Sequence, residues 1–299
     1  MKKIIAILLL ISTLLFTLTG CALFGGKNEG PAEGTPKYYI LHDQLVKPSQ
    51  NSLFRYKIYE HYVSISEYVG DESNVVIPDK IDDLPVYVIE EGAFADSQSL
   101  YSLTLSKDIV QIGIKAFSNC PLLKNITLPK TLTDIADNAF YNCSSLEEII
   151  LPETVETIGI SAFQGCSSLY SISIPSKVST VGNNVFVNCK NLKKVIFMDG
   201  IIADENNDYV ETVNKTLGSN LFTNCTSLEM VLIPDTVTTI DDYAFEGMSS
   251  TAYIYGYVPS ATCTLCANKK VNFIEVVEGD DKDRQMKDRS IIVPETTAK

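Results

Sequence analysis

The chain has 299 residues but no tryptophan, two histidines (His42 and His61) and five methionines. Histidine is the usual proton shuttle near neutral pH and the commonest metal ligand. Its scarcity weighs against triad and metal-hydrolase chemistry. Basic residues are also few, 24 against 37 acidic, for a net charge of −13. Such a surface repels phosphate backbones and anionic lipid, which argues against nucleic acid as a partner. There is no Gly-x-Ser-x-Gly, no phosphate-cradling glycine loop and no His-Glu-x-x-His. Nothing in the chain therefore argues for an enzyme, a catalytic residue, a metal or a cofactor.

Long apolar runs are absent except at the start. Lys2 and Lys3 precede an almost unbroken apolar stretch of 15 residues, 4–18. That is shorter than the roughly 20 residues a spanning helix needs, and it fits a signal peptide. The segment closes in Leu18-Thr19-Gly20-Cys21, which looks like a bacterial lipobox with Cys21 as the lipidated residue. Without the leader the balance is 37 acidic to 22 basic, a net −15. Several acyl chains anchor firmly where one is marginal. Residues 22–36, rich in Gly, Pro, Glu and Ala, read as a flexible tether.

The cysteines reveal the organisation. Cys120, Cys143, Cys166 and Cys189 are 23 residues apart, and Cys225 follows after 36. The same step runs through Phe94, Phe117, Phe140, Phe163, Phe186, Phe222 and Phe245. It also runs through Leu100, Leu123, Leu146, Leu169, Leu192 and Leu228, and through Pro78, Pro129, Pro152, Pro175 and Pro234. A fixed period in the twenties means a solenoid. Within one unit, Leu146, Ile149 and Leu151 point inward from a short strand, which Pro152 ends because it has no N–H to donate. Val155 and Ile158 form a second inward ridge. Ala162 and Phe163 lie on a short helical turn, and Cys166 points inward before the next strand. Successive strands pair in parallel at about 4.8 Å, so seven coils make an array on the order of 30 Å long.

The pattern resembles the BspA-like family of bacterial leucine-rich repeat proteins. The matching elements are a Leu-x-x-Ile-x-Ile/Leu-Pro run, then Ile-Gly, Ala-Phe and Asn-Cys. Asn119-Cys120, Asn142-Cys143, Asn188-Cys189 and Asn224-Cys225 keep the last of these, and Gly165-Cys166 varies it. The resemblance covers residues 56–276. It implies a leucine-rich repeat solenoid, a strand-rich right-handed superhelix with a parallel strand ladder, short helical turns and a C-terminal helical cap. The chain then reads as leader 1–20, lipidated Cys21 and tether to 36, N-terminal cap 37–74 and solenoid 75–250. An insertion interrupts the solenoid at 199–211. A C-terminal cap at 251–277 and a charged tail at 278–299 complete the chain.

Several clusters invite a chemical reading. The five repeat cysteines read as small core hydrophobes, with disulfides or a metal ladder as alternatives. Cys263-Thr264-Leu265-Cys266 reads as cap packing, with a locking disulfide, a redox pair or half a zinc site as alternatives. Asp204, Glu205, Asn206, Asn207 and Asp208 make a solvated acidic loop or a calcium loop, although no glycine occupies the sharp turn. His42 and His61 read as structural or exposed.

What remains is a surface. The position between the inward residues of each strand reads Thr104, Thr127, Ile150, Ser173, Ile196 and Leu232. Two residues back lie Glu148, Lys194 and Met230, and one further back Tyr101 and Tyr170. Exposed apolar residues among polar neighbours have the composition of a binding patch, although β-branched residues also suit exposed strands. Resemblance to the family implies adhesion, with a protein of a host, matrix or neighbouring cell as partner. The expected localisation is the cell surface, with lipid at Cys21 holding the protein to the cell membrane or outer envelope. A carbohydrate-binding module and a purely structural envelope protein are the alternatives.

Overall fold

Each repeat unit folds into one coil, with a segment on each of two parallel ladders. The computed structural model describes residues 43–198 and 215–276, together with Thr35, Pro36 and Ile40 and the backbone of 202–203 and 209–210. The chain divides into two units, Met1–His42 and Asp43–Lys299, and the solenoid lies in the second. Cys21, residues 204–208 and the tail 278–299 lie outside the described residues.

An antiparallel meander of β1 (Leu45–Gln50), β2 (Phe54–Tyr59) and β3 (Val63–Tyr68) opens the solenoid. Next come β4 (Asn74–Val76), β5 (Lys80–Ile81) and β6 (Leu84–Ile89). β5 and β6 form a hairpin across Asp82 and Asp83, both left-handed at φ 51° and 65°. That is the twist a two-residue type I′ turn requires, and Asp tolerates it. This hairpin is an insertion, because Phe94 follows Pro78 by 16 positions where Phe163 follows Pro152 by 11.

The repeats proper contribute β7 (Ser102–Thr104), β8 (Gln111–Ile112), β9 (Asn125–Thr127), β10 (Asp134–Ile135), β11 (Thr157–Ile158), β12 (Ser171–Ile174), β13 (Thr180–Val181) and β14 (Lys194–Phe197). A two-stranded hairpin, β15 (Ile202–Ala203) with β16 (Tyr209–Val210), lies in the insertion. The chain continues with β17 (Lys215–Leu217), β18 (Met230–Leu232), β19 (Val237–Ile240), β20 (Tyr253–Gly256), helix α1 (Ala261–Lys269) and β21 (Phe273–Glu275). One ladder runs β3-β6-β8-β10-β11-β13-β17-β19. The other runs β4-β7-β9 and then β12-β14-β18-β20-β21. Residues 146–151 form no strand, so the second ladder is broken there. The solenoid has about nine turns.

The core is a column of rings. Phe94, Phe117, Phe140, Phe163, Phe186, Phe222 and Phe245 are all buried and stack at centroid separations of 5.2 to 6.4 Å. Offset stacking of this kind adds to the burial of large apolar area. Tyr68 stacks on the first ring at 5.2 Å, and Phe54 meets its edge at 6.2 Å, so the N-terminal meander closes the column. At the other end Ser260 caps α1 by accepting from the Cys263 N–H at 3.1 Å. The helix buries Thr262, Leu265 and Cys266.

The turns expected to be helical are single hydrogen-bonded turns, such as Cys166 N–H to the Phe163 carbonyl at 3.2 Å. Left-handed residues flank all of these turns but the last, Ser161 at φ 55° and Gly165 at φ 79° in this coil. A right-handed helix cannot propagate through them. The residue before the cysteine, or before Ser97 and Met248 where these take its place, is left-handed throughout: Asp96, Asn119, Asn142, Gly165, Asn188, Asn224 and Gly247. This explains the Asn-Cys signature, because Asn and Gly enter that conformation most readily. The asparagines also form a side-chain ladder: Asn142 donates to Asn119 at 3.1 Å and Asn224 to Asn188 at 3.0 Å. The Ile-Gly signature marks a close backbone approach. A Cβ on Gly182 would sit 2.7 Å from the Ile160 nitrogen. Ala136 holds the equivalent place two coils earlier, and its N–H bond to Ile112 stretches to 3.3 Å, against 2.8 Å from Gly182 to Ile158.

Candidate binding face

The broken ladder carries the predicted face, and its register is explicit. Val76 pairs with Thr104 and Thr104 with Thr127 on one side of the break. Beyond it, Ser173, Ile196, Leu232, Tyr255 and Ile274 lie side by side in five successive strands. Alternation in a strand puts this whole column on the outer face, because Leu103, Ile172, Ile174, Val195, Val231 and Ile254 all point into the core. At the break sits Ile150, 75% exposed. Leu146, Ile149 and Leu151 of the same segment are buried as the pattern predicts.

Exposure differs along the predicted face. Tyr101, Thr104, Thr127, Glu148, Ile150, Tyr170 and Ser173 are exposed. Lys194, Ile196, Met230 and Leu232 are half-buried, which corrects the reading of Ile196, Met230 and Leu232 as exposed. Each has paired neighbours on both sides in the five-stranded sheet, and bulky neighbours shade one another. Ile150 lacks a ladder on either side. Tyr255 and Ile274 extend the apolar column into the C-terminal cap. The sequence signal for Tyr255 was available, since one further step of 23 from Leu232 reaches it.

Beside the outer column runs a charged and aromatic rim. Lys124 pairs with Glu147 at 3.1 Å, and Lys193 pairs with Glu229 at 3.2 Å. The Lys193 ammonium also sits 5.5 Å from the centre of the Tyr170 ring. Hydrogen bonding to Glu147 holds the Lys124 ammonium above its ordinary range, and Glu229 does the same for Lys193.

The repeat cysteines are all free and buried. Each thiol donates to the carbonyl of the phenylalanine 26 residues earlier, or 39 across the insertion. Cys120 reaches Phe94 at 3.1 Å, Cys143 reaches Phe117 at 3.1 Å and Cys166 reaches Phe140 at 3.2 Å. Cys189 reaches Phe163 at 3.1 Å and Cys225 reaches Phe186 at 3.0 Å. Burial pushes Cys120 and Cys225 up to about 12, and Cys143, Cys166 and Cys189 well above their ordinary value. These are protonated structural thiols, inert as nucleophiles. Cys263 and Cys266 are free as well, and burial, with Cys263 nearby, pushes Cys266 up to about 12.

Three features escaped the sequence reading. Lys215 is buried, and its ammonium donates to the carbonyls of Pro175 at 3.3 Å, Val178 at 2.9 Å and Ser176. The backbone turn thus supplies the polar partners a buried charge needs. Asp43, Glu60 and His61 place ligand atoms within 4.8 Å of one another. There the Asp43 carboxylate accepts the His61 backbone N–H at 2.9 Å and lies 3.0 Å from its Nδ1. A groove of about 510 Å³ on the turn side is lined by Glu91, Asp96, Lys115, Asn119, Asn138 and Tyr141 among others. Asp96 there accepts from Asn119 at 2.9 Å. Among the described residues no helix is long and apolar enough to cross a membrane.

Stacked coils, paired ladders and an inward leucine, phenylalanine and cysteine in each unit define a leucine-rich repeat solenoid. Within that class the chain belongs to the BspA-type leucine-rich repeat family, whose repeat region matches residues 87–212 and 209–261 in six copies. The crystal structure of a T. pallidum leucine-rich repeat protein is similar, at 24% identity and a TM-score of 0.55, covering 77% of this chain and 98% of that one. A Bacteroides ovatus leucine-rich repeat protein is also similar, at 24% identity and a TM-score of 0.54, covering 71% of this chain and 56% of that one. At this identity the likeness concerns the fold. No curated protein matches the sequence.

Proposed function

We propose that the protein is a lipid-anchored cell-surface module whose solenoid binds another protein, in adhesion or in contact with host, matrix or neighbouring cells, without catalysis. The observation that carries this reading is the apolar column Ile196–Leu232–Tyr255–Ile274 together with the exposed Ile150, set among charged and hydroxyl-bearing neighbours on the sheet face. Aliphatic and aromatic side chains of this kind act as anchors when a partner excludes water around them. A rigid face costs little ordering on binding. The family and the lipobox pattern at Cys21 support export and anchoring. A glycan ligand is the second reading, favoured by the exposed rings of Tyr101 and Tyr170. The test immobilises the protein and exposes it to matrix proteins and to envelope extract. A retained protein that is lost on Ile150→Asp supports the first reading, and a blank from folded protein contradicts it.

A further inference from the structure

The rim of the strand face repeats on a longer period than the fold. One column reads Tyr101, Lys124, Glu147 and then Tyr170, Lys193, Glu229 in six successive coils. The core columns repeat every coil because every coil must fill the same interior. Packing does not require a repeat every third coil on the surface. A copied block of three coils would leave the same record, and Leu100-Tyr101-Ser102 does recur at 169–171 and Gly165 at Gly247. The adjoining outward column has nevertheless changed from Asn125 and Glu148 to Lys194 and Met230, while the rim has kept all three residue types. Backbone bonds tie the rim together: Lys124 N–H to Tyr101 at 2.9 Å, Tyr170 to Glu147 at 3.1 Å, Lys193 to Tyr170 at 2.9 Å and Glu229 to Lys193 at 3.0 Å.

The two halves carry the same three residue types in the same order, and in the second the Lys193 ammonium also lies over the Tyr170 ring, 5.5 Å from its centre. Each has an exposed tyrosine ring, and beyond it a lysine and a glutamate joined at 3.1 or 3.2 Å. Each lysine–glutamate pair is neutral as a whole, so it offers a charged ligand little net attraction. A ring with an apolar face stacks on tyrosine, and neighbouring hydroxyls each donate and accept. One hydroxyl suits the glutamate oxygens and the next the ammonium. A sugar ring has both properties. The two halves lie three strand spacings apart, roughly 14 Å. An extended chain of several linked pyranose rings is long enough to bridge the two tyrosines.

We propose that Tyr101–Lys124–Glu147 and Tyr170–Lys193–Glu229 are two equivalent subsites for an uncharged polysaccharide lying along the solenoid axis. The proposal rests on reading this face as a ligand surface and deepens its glycan alternative. Tethering two subsites on one chain multiplies weak contacts, by a factor that falls away when the ligand is too short to span them.

The test uses full-length protein and a panel of neutral hexopyranose oligomers of defined ring number, with a uronic-acid polymer as charged control. A hexasaccharide of at least one sugar type is expected to bind on the order of tenfold or more tightly than its trisaccharide. Tyr101→Ala and Tyr170→Ala should each reduce the hexasaccharide to trisaccharide affinity, and Tyr→Phe at either position should retain most of it. Retention of a protein partner is measured on the same tyrosine variants, so that loss of the glycan alone, or of the protein alone, lets the two readings fail separately. Three results overturn the proposal: no neutral oligomer bound by folded protein, equal affinity for short and long oligomers, or binding indifferent to both tyrosines.

Discussion

The Cys166 thiol donates to the carbonyl of Phe140, 3.2 Å away in the preceding coil, and the same carbonyl accepts the Cys143 N–H at 3.2 Å. One residue type thus fills a small apolar gap and satisfies a buried acceptor. Serine shares the donor but is more polar, and alanine shares only the small size. If the donor matters, Cys166→Ser is at least as stable as Cys166→Ala. A thiol serving as a plain hydrophobe would instead make serine the worse substitute, by about 1–3 kcal/mol for an ill-matched buried hydroxyl. Denaturant titration of the two variants decides between them.

The same burial predicts a pH dependence. Free thiols in the unfolded chain ionise near 8.5, whereas Cys120 and Cys225 are pushed up to about 12 in the fold. The folded state therefore holds more protons above the unfolded value, and stability falls as pH rises. It is complete below about pH 8.5 and declines between there and about 12, by up to roughly 1.4 kcal/mol per pH unit for each thiol ionised on unfolding. Unfolding free energies measured across this range, with thiolate absorbance as a second signal, test the slope. Thiolate absorbance at pH 9.5 from folded protein carrying Cys21→Ser and Cys263→Ser would contradict it.

The aromatic stack should behave as a continuous spine. Phe163, buried and stacked 5.4 Å from Phe140 and 6.0 Å from Phe186, is near its middle. Phe163→Ala should cost about 3–5 kcal/mol, measured by denaturant unfolding. Phe245→Ala, at the more exposed end, should cost less. Equal losses at both positions would mean that the rings do not act through their neighbours.

The left-handed column gives a backbone test. Asn188 has φ 63°. Alanine there should cost about 1 kcal/mol through the left-handed conformation, and glycine less, with the ladder bond from Asn224 lost in both. Thermal melts of the two variants provide the comparison.

Most of this fold is legible in the sequence because a solenoid repeats its instructions. Phe, Leu and Cys at a step of 23 gave the stack, the inward ridge and the thiol column. The insertion after Met198 was visible from the step of 36 to Cys225. The break in the ladder was not visible. Residues 146–151 follow the consensus as well as any other coil, and pairing depends on how two neighbouring coils sit, which no single unit encodes. Lys215 was hidden for a related reason. Its carbonyl partners come from the turn at Pro175 to Val178, roughly forty residues earlier in sequence and one coil away in space. On the face, the positions of Thr104, Ile150 and Ser173 followed from strand alternation. The shading of Ile196 and Leu232 needed the neighbouring strands.

The central claim is that the strand face holds a partner, and Ile150 tests it most directly. It is 75% exposed, unpaired by any ladder strand and not part of the core, so Ile150→Asp should leave the unfolding midpoint within experimental scatter. Immobilised wild-type and Ile150→Asp proteins would be exposed side by side to matrix proteins and envelope extract, with bound proteins identified after elution. The account predicts a protein retained by the wild type and lost from the equally stable variant. Equal retention by both proteins, or by neither, would contradict it.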